Sequence, residues 1–210
     1  MNYMPFDIDI FQMEFEQFES DVHILILGVT YAALEKLSED ADKQLAEIEA
    51  HITNAKVNQE RLVDEHTDTL AEHDSQTTFL MNQALVALSS RLFMALRDMA
   101  KQALLFSPRK NGRYSGDGEW DRLSHEYKER FGFDFMREFV EPMVLARNQI
   151  VHDGGAANLH SDSYRAYVRG EGNTAEVCVS QELFSRTVKD SVELVRWVSQ
   201  RLRKTEIAVR

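Results

Sequence analysis

One short stretch of the 210-residue chain gathers side chains capable of chemistry: Arg147-Asn148-Gln149-Ile150-Val151-His152-Asp153-Gly154-Gly155. Arg147, Asn148 and His152 fall within six residues of what reads as a helix, whose inward positions Met143, Ala146 and Ile150 are taken up by packing. Asn148 and His152, at i and i+4, share a face. Arg147 and His152 stand about 140° apart around the axis, five steps of roughly 100° each, so only the long Arg side chain lets both flank one ligand. Such a set suits metal-free cleavage of an RNA phosphodiester. An imidazole titrating near ~6.5 can take the 2′-hydroxyl proton or protonate the leaving oxygen. A guanidinium stays charged and matches a phosphate with two parallel bonds. Asn148 would orient the imidazole or bind the phosphate itself. One His per chain leaves the reaction short of a second acid or base, which a symmetric homodimer would supply.

Absent signatures narrow the field. There is no Gly-rich phosphate loop with Lys, no G-x-S-x-G elbow, no H-E-x-x-H and, with Cys178 alone, no paired Cys for zinc or a disulfide. The seven His residues never fall at i, i+3 or i+4, so no metal and no cofactor is expected. A structural reading of the motif competes: a His in the last helical turn can bond the free carbonyls, and Arg147 can pair with Glu138 or Glu141.

The elements that must position this motif are mostly helical. Between Gly28 and Pro108 lie 79 residues without Gly or Pro, the mark of long helices. Leu34, Ala41, Ile48, Ala55 and Leu62 recur every seventh residue, joined by Leu37, Leu45 and Ile52, as one limb of a coiled hairpin. Leu85, Leu92, Met99 and Phe106, with Leu88, Ala95, Leu96 and Ala103, mark the second limb. The polar patch Asp64 to Thr78 is expected to hold the bend, with Asp74 or Ser75 as N-cap. A loop follows from Ser107 to Gly118, containing Arg109, Lys110 and Arg113, and then a short helix around Trp120 to Arg130. Asp134 would cap the helix that runs to His152, Pro142 would start or kink it, and Gly154 and Gly155 would end it. Alternation of Tyr164, Ala166 and Val168 with Arg165, Tyr167 and Arg169, then of Val177 and Val179 with their neighbours, predicts a small β-hairpin. Ser180 should cap a closing helix with Phe184, Val188, Val192, Val195, Val198 and Leu202 on one face.

Charge is divided unevenly. The net −11 argues against a general nucleic-acid-coating role, yet residues 1–106 hold 19 acids and 7 Lys/Arg while 107–210 hold 16 and 17, so an anionic ligand should visit the second half. Arg109, Lys110, Arg113, Arg165 and Arg169 are the candidate RNA contacts there. No apolar run near the ~18 to 20 residues of a membrane span is legible, and the start lacks a signal-peptide pattern; a cytoplasmic protein is expected, with no membrane partner.

R-N-x-x-x-H followed by Gly-Gly, in a helix after a Trp-led short helix and before a closing helix, resembles the HEPN superfamily (higher eukaryotes and prokaryotes nucleotide-binding domain). The likeness is clearest over Trp120 to Gly155 and extends over Ser75 to Leu202, leaving out the acidic arm. It implies an all-α bundle that dimerises with its R-x4-6-H motifs facing across a cleft, and in many members a metal-independent ribonuclease of toxin, defence or RNA-processing systems. Carried over, the catalytic residues are Arg147, Asn148 and His152. Gly154 stands where the toxin branch has a Tyr, and Asp98 is the nearest counterpart of an acidic residue in the first core helix. The expectation is thus a HEPN-like helical bundle over residues 75–210 preceded by an acidic helical arm over 1–74. It would act as a homodimeric endoribonuclease on RNA, with an antitoxin or other partner held by the arm. The alternative is a non-catalytic dimeric scaffold or RNA- or partner-binding module.

Overall fold

In the computed structural model, residues 9–54, 59–105, 119–136, 138–157 and 162–209 are described. Three long rods make the frame. The first rises from α1 (Ile10–Asp21) through a π-helical segment (Val22–Gly28) into α2 (Val29–Asn54). Asp9 starts it by accepting a hydrogen bond from the Gln12 amide at 2.9 Å. The second rod is α3 (Gln59–Leu105), 47 residues long, or about 70 Å at ~1.5 Å per residue. The third is α6 (Gln181–Val209), where Ser180 Oγ accepts from the Leu183 amide as expected of an N-cap.

α6 lies antiparallel to the first rod. Tyr31 and Ser185 hydroxyls meet at 2.9 Å, Ser199 donates to the Phe11 carbonyl at 3.0 Å, and Arg203 pairs with Asp9 at 2.7 Å. Its predicted face, Phe184, Val188, Val192, Val195, Val198 and Leu202, is buried throughout. Phe11, Phe15, Phe18, Val22 and Ile26 share that core with Leu85, Leu88, Leu92, Ala95, Leu96 and Met99 of α3. The expected boundary at residue 74 therefore does not coincide with a change in packing, because residues 9–30 belong to the body. The α3 leucines read as a hairpin limb are core as well.

The bend falls elsewhere than expected. Asp64 to Thr78 is an unbroken part of α3, so neither Asp74 nor Ser75 is an N-cap. Its polar side chains sit on a helix surface, and Thr67 and Thr69 return their hydroxyls to the carbonyls of Val63 and Glu65. α2, ending at Asn54, and α3, beginning at Gln59, pack together as the expected antiparallel hairpin; Ala55 lies outside the described residues, and Leu62 belongs to the second limb rather than the first.

The short elements fill one flank. α4 (Glu119–Glu126) continues into a π-helical turn (Tyr127–Phe131) that Gly132 ends in the left-handed conformation at φ 72°. Tyr127 is buried, donates to the Leu96 carbonyl at 2.7 Å, and packs edge-on to Phe131 and Phe135, while Phe133 meets Trp197 edge-on. These aromatics are core. Asp134 does not cap α5 (Val140–His152). It accepts instead from Ser124 and the Met136 amide and pairs with Lys128, six residues before the helix begins. Pro142 takes a first-turn position, where its missing donor costs nothing.

The hairpin shrinks to β1 (Val168–Arg169) and β2 (Glu176–Val177), antiparallel with Val168 opposite Val177. Residues Asp162–Tyr167 form short 3-10 turns kinked at Tyr164 rather than a strand, burying Tyr164 and Tyr167, three apart, and exposing Ala166. The molecule is mostly helical, so the all-α expectation holds at that level. One segment within Glu60–Ala103 is apolar and long enough to cross a membrane by length and composition, which the sequence reading had missed; half of that window is buried inside the protein.

Candidate functional site

The motif sits at the C-terminal end of α5. Met143 and Ala146 are fully buried and Ile150 half-buried, as the packing stripe required. That leaves Arg147 and Asn148 half-buried at the margin and His152 exposed in the last turn. Arg147 Nη1 donates to Asn148 Oδ1 at 2.9 Å. The amide thus steadies the guanidinium rather than the imidazole, and its Nδ2 end remains a donor for a ligand. Neither Glu138 nor Glu141 pairs with Arg147, and His152 makes no ion pair or hydrogen bond, among the described residues.

A relay of main-chain bonds fixes this helix end. Gly154 and Gly155 adopt φ of 62° and 92°, and the Gly155 amide returns to the Gln149 carbonyl at 3.0 Å. The Val177 amide then donates to the Gly155 carbonyl at 2.7 Å, and the Ala157 amide to the Ala175 carbonyl at 3.0 Å, so the chain leaving the motif joins the β-hairpin as a third edge. Asn82 of α3 completes the relay. Buried and 8% exposed, it donates to the Val177 carbonyl at 2.8 Å and accepts from the Val179 amide at 3.2 Å. Sequence reasoning missed Asn82 as a positioning residue, although an amide between Met81 and the apolar run Ala84-Leu85 was a signal that some backbone needed a partner there.

The candidate RNA contacts are scattered. Arg165 is exposed on the turn before β1. Arg169 is engaged instead: Glu176 accepts from its Nε and Nη2 at 3.1 and 2.7 Å, and Asp74 from its Nη1 at 2.8 Å. Those bonds, Glu176 first and Asp74 second, raise its already high pKa, so it clamps the hairpin to α3. Arg109, Lys110 and Arg113 lie outside the described residues. Asp98 pairs with Lys101 at 3.1 Å and lies 16 residues, about 24 Å, along α3 from Asn82, away from the motif. Two surface grooves of about 410 and 570 Å³ lie along α6; neither is lined by Arg147, Asn148 or His152.

The site therefore offers a steadied guanidinium, a free amide donor and an exposed imidazole on one helix end: groups able to hold an anion and move a proton. Compared with family models, curated proteins and solved structures, the chain matches none of them. It is a mostly helical protein with a long two-helix arm.

Proposed function

We propose that the chain is a HEPN-like, metal-independent endoribonuclease that acts as a homodimer in the cytoplasm, as a toxin or defence component. The observation that carries the reading is the Arg147–Asn148 bond beside an exposed His152. Arg147 is held ready by a neighbour that is not itself an anion, so its charge remains available to a phosphate. Val151, 46% exposed immediately before His152, supports a second subunit packing beside the motif.

In this mechanism the His152 imidazole accepts the 2′-hydroxyl proton as the 2′-oxygen attacks phosphorus. Arg147 and Asn148 Nδ2 stabilise the charge gathering on the phosphoryl oxygens. The P–O5′ bond breaks, and the symmetry-related imidazole donates the proton that leaves with the 5′-oxygen. The products are a 2′,3′-cyclic phosphate and a 5′-hydroxyl.

The test is incubation of the full chain with RNA in EDTA, with end-group analysis. Cleavage with cyclic ends is expected, together with a loss of at least about a hundredfold in His152→Ala and about tenfold or more in Asn148→Ala, at unchanged circular dichroism. Equal cleavage by His152→Ala would remove the nuclease reading and leave the scaffold.

A further inference from the structure

The three rods of the body become two in the arm. On α2 the last buried residue is Thr30, and on α3 the first is Met81; among residues 31–51 and 60–80 none is buried. The arm from Met81 out to Glu60 is about 32 Å long. α6 begins at the level of Asn82 and Tyr31, where Val179 and Ser185 are held; beyond the β-hairpin, whose Arg169 reaches Asp74, the groove between α2 and α3 has no occupant among the described residues.

Helical geometry defines that groove. The α3 residues facing the core, Met81, Leu85, Leu88 and Leu92, lie on one line, and continuing it outward at ~100° per residue reaches Leu70 and Val63. Both are large, apolar and open, at 47% and 57% exposed. The same construction puts Glu35, Asp42 and Glu49 of α2, seven apart and all exposed, on the near wall. On α3 the exposed Glu60 flanks the Val63 and Leu70 line, whereas Asp64 and Asp68 lie farther round the helix, away from the groove. Tyr31, on the same flank of α2 as Glu35, reaches α6 through Ser185, which fixes the groove on the α6 side. The Arg169–Asp74 pair closes its inner end.

The α2 seam, Leu34, Leu37, Ala41, Leu45 and Ile48, meets mostly polar half-buried residues of α3, Glu65, His66, Thr69, His73 and Thr77. A two-helix seam of this composition invites a third helix. Charge decides which. Residues 31–80 carry 12 acids and 4 Lys/Arg, a net −8, which repels both nucleic acid and the arm of a second copy.

We infer that the open α2/α3 groove binds a basic amphipathic helix of a partner protein, seated outward of the Arg169–Asp74 pair. Its apolar stripe meets Val63 and Leu70, and its Lys and Arg residues meet the α2 carboxylate row Glu35, Asp42 and Glu49 together with Glu60. The inference does not depend on the nuclease reading.

The test uses the full chain and a fluorescently labelled helix of about three heptads, Leu at a and d and Lys at e and g, followed by anisotropy. Binding that falls about tenfold or more in Val63→Asp/Leu70→Asp and in Glu35→Lys/Asp42→Lys is expected. A matching peptide with Glu in place of Lys should not bind. Arg147→Ala/His152→Ala should bind the Lys peptide as tightly as the native chain, so that loss of cleavage and loss of docking are read separately. Absence of binding, or binding indifferent to Val63→Asp/Leu70→Asp, overturns the proposal. So does sedimentation showing self-association that this double variant abolishes, because a second copy would then own the groove.

Discussion

Asn148 spans only one residue to reach Arg147, and that short reach determines what the motif offers: its oxygen is committed to the guanidinium, which leaves Nδ2 as the end that can donate to a ligand. From the sequence, Asn148 was equally suited to the imidazole or the phosphate, because spacing gives angles around an axis and not which rotamer closes a bond. A second residue-scale effect lies at Glu14. Burial raises its carboxyl above the usual 4.5, Asp98 raises it further, and Arg91 lowers it. The folded chain then binds that proton more tightly than the unfolded chain. The contribution to stability is present at low pH and is lost as the pH rises through the ordinary glutamate range and the higher folded value. Glu14→Gln should accordingly be more stable than the native chain at pH 7, with the difference closing toward pH 4. Urea unfolding at the two pH values checks this, and a constant difference would show that the carboxylate's charge is immaterial.

Among the elements, α6 was the most legible, because an N-capping Ser and a clean apolar face leave one solution. The hairpin was least legible. Its alternation suggested longer strands, but Tyr164 and Tyr167 reach the core three residues apart, a spacing a tight helical turn meets and a strand cannot. What shapes the hairpin is Gly170. At φ 86°, a Cβ there would stand 2.7 Å from the Thr174 carbonyl oxygen, a main-chain atom of the same turn. Gly170→Ala should therefore cost about 1–3 kcal/mol, measured by urea unfolding. The strands it joins also hold Gly155, so amide exchange at Val177 and Ala157 should quicken in the variant.

For the whole molecule, the body and the arm differ in what sustains them. Since none of residues 31–51 and 60–80 is buried, replacing Glu39–Leu70 by a short Gly-Ser turn should leave the body folded, its thermal midpoint lowered by no more than about 5 °C. A collapse of the transition would mean that the arm carries core. Seven-residue periodicity and the absence of Gly and Pro over 79 residues determined that the chain would build long helices, and the order R-N-x-x-x-H-x-G-G determined a polar helix end. Those are local properties, written into side-chain type and spacing. Only the tertiary structure decided where the hairpin turns, that Phe11 to Ile26 join the core of α3 and α6, that Arg169 serves as a clamp, and that the arm groove stays open. Each of these depends on which faces find a partner across large sequence separations, and a one-dimensional pattern marks a face as apolar without saying what will cover it.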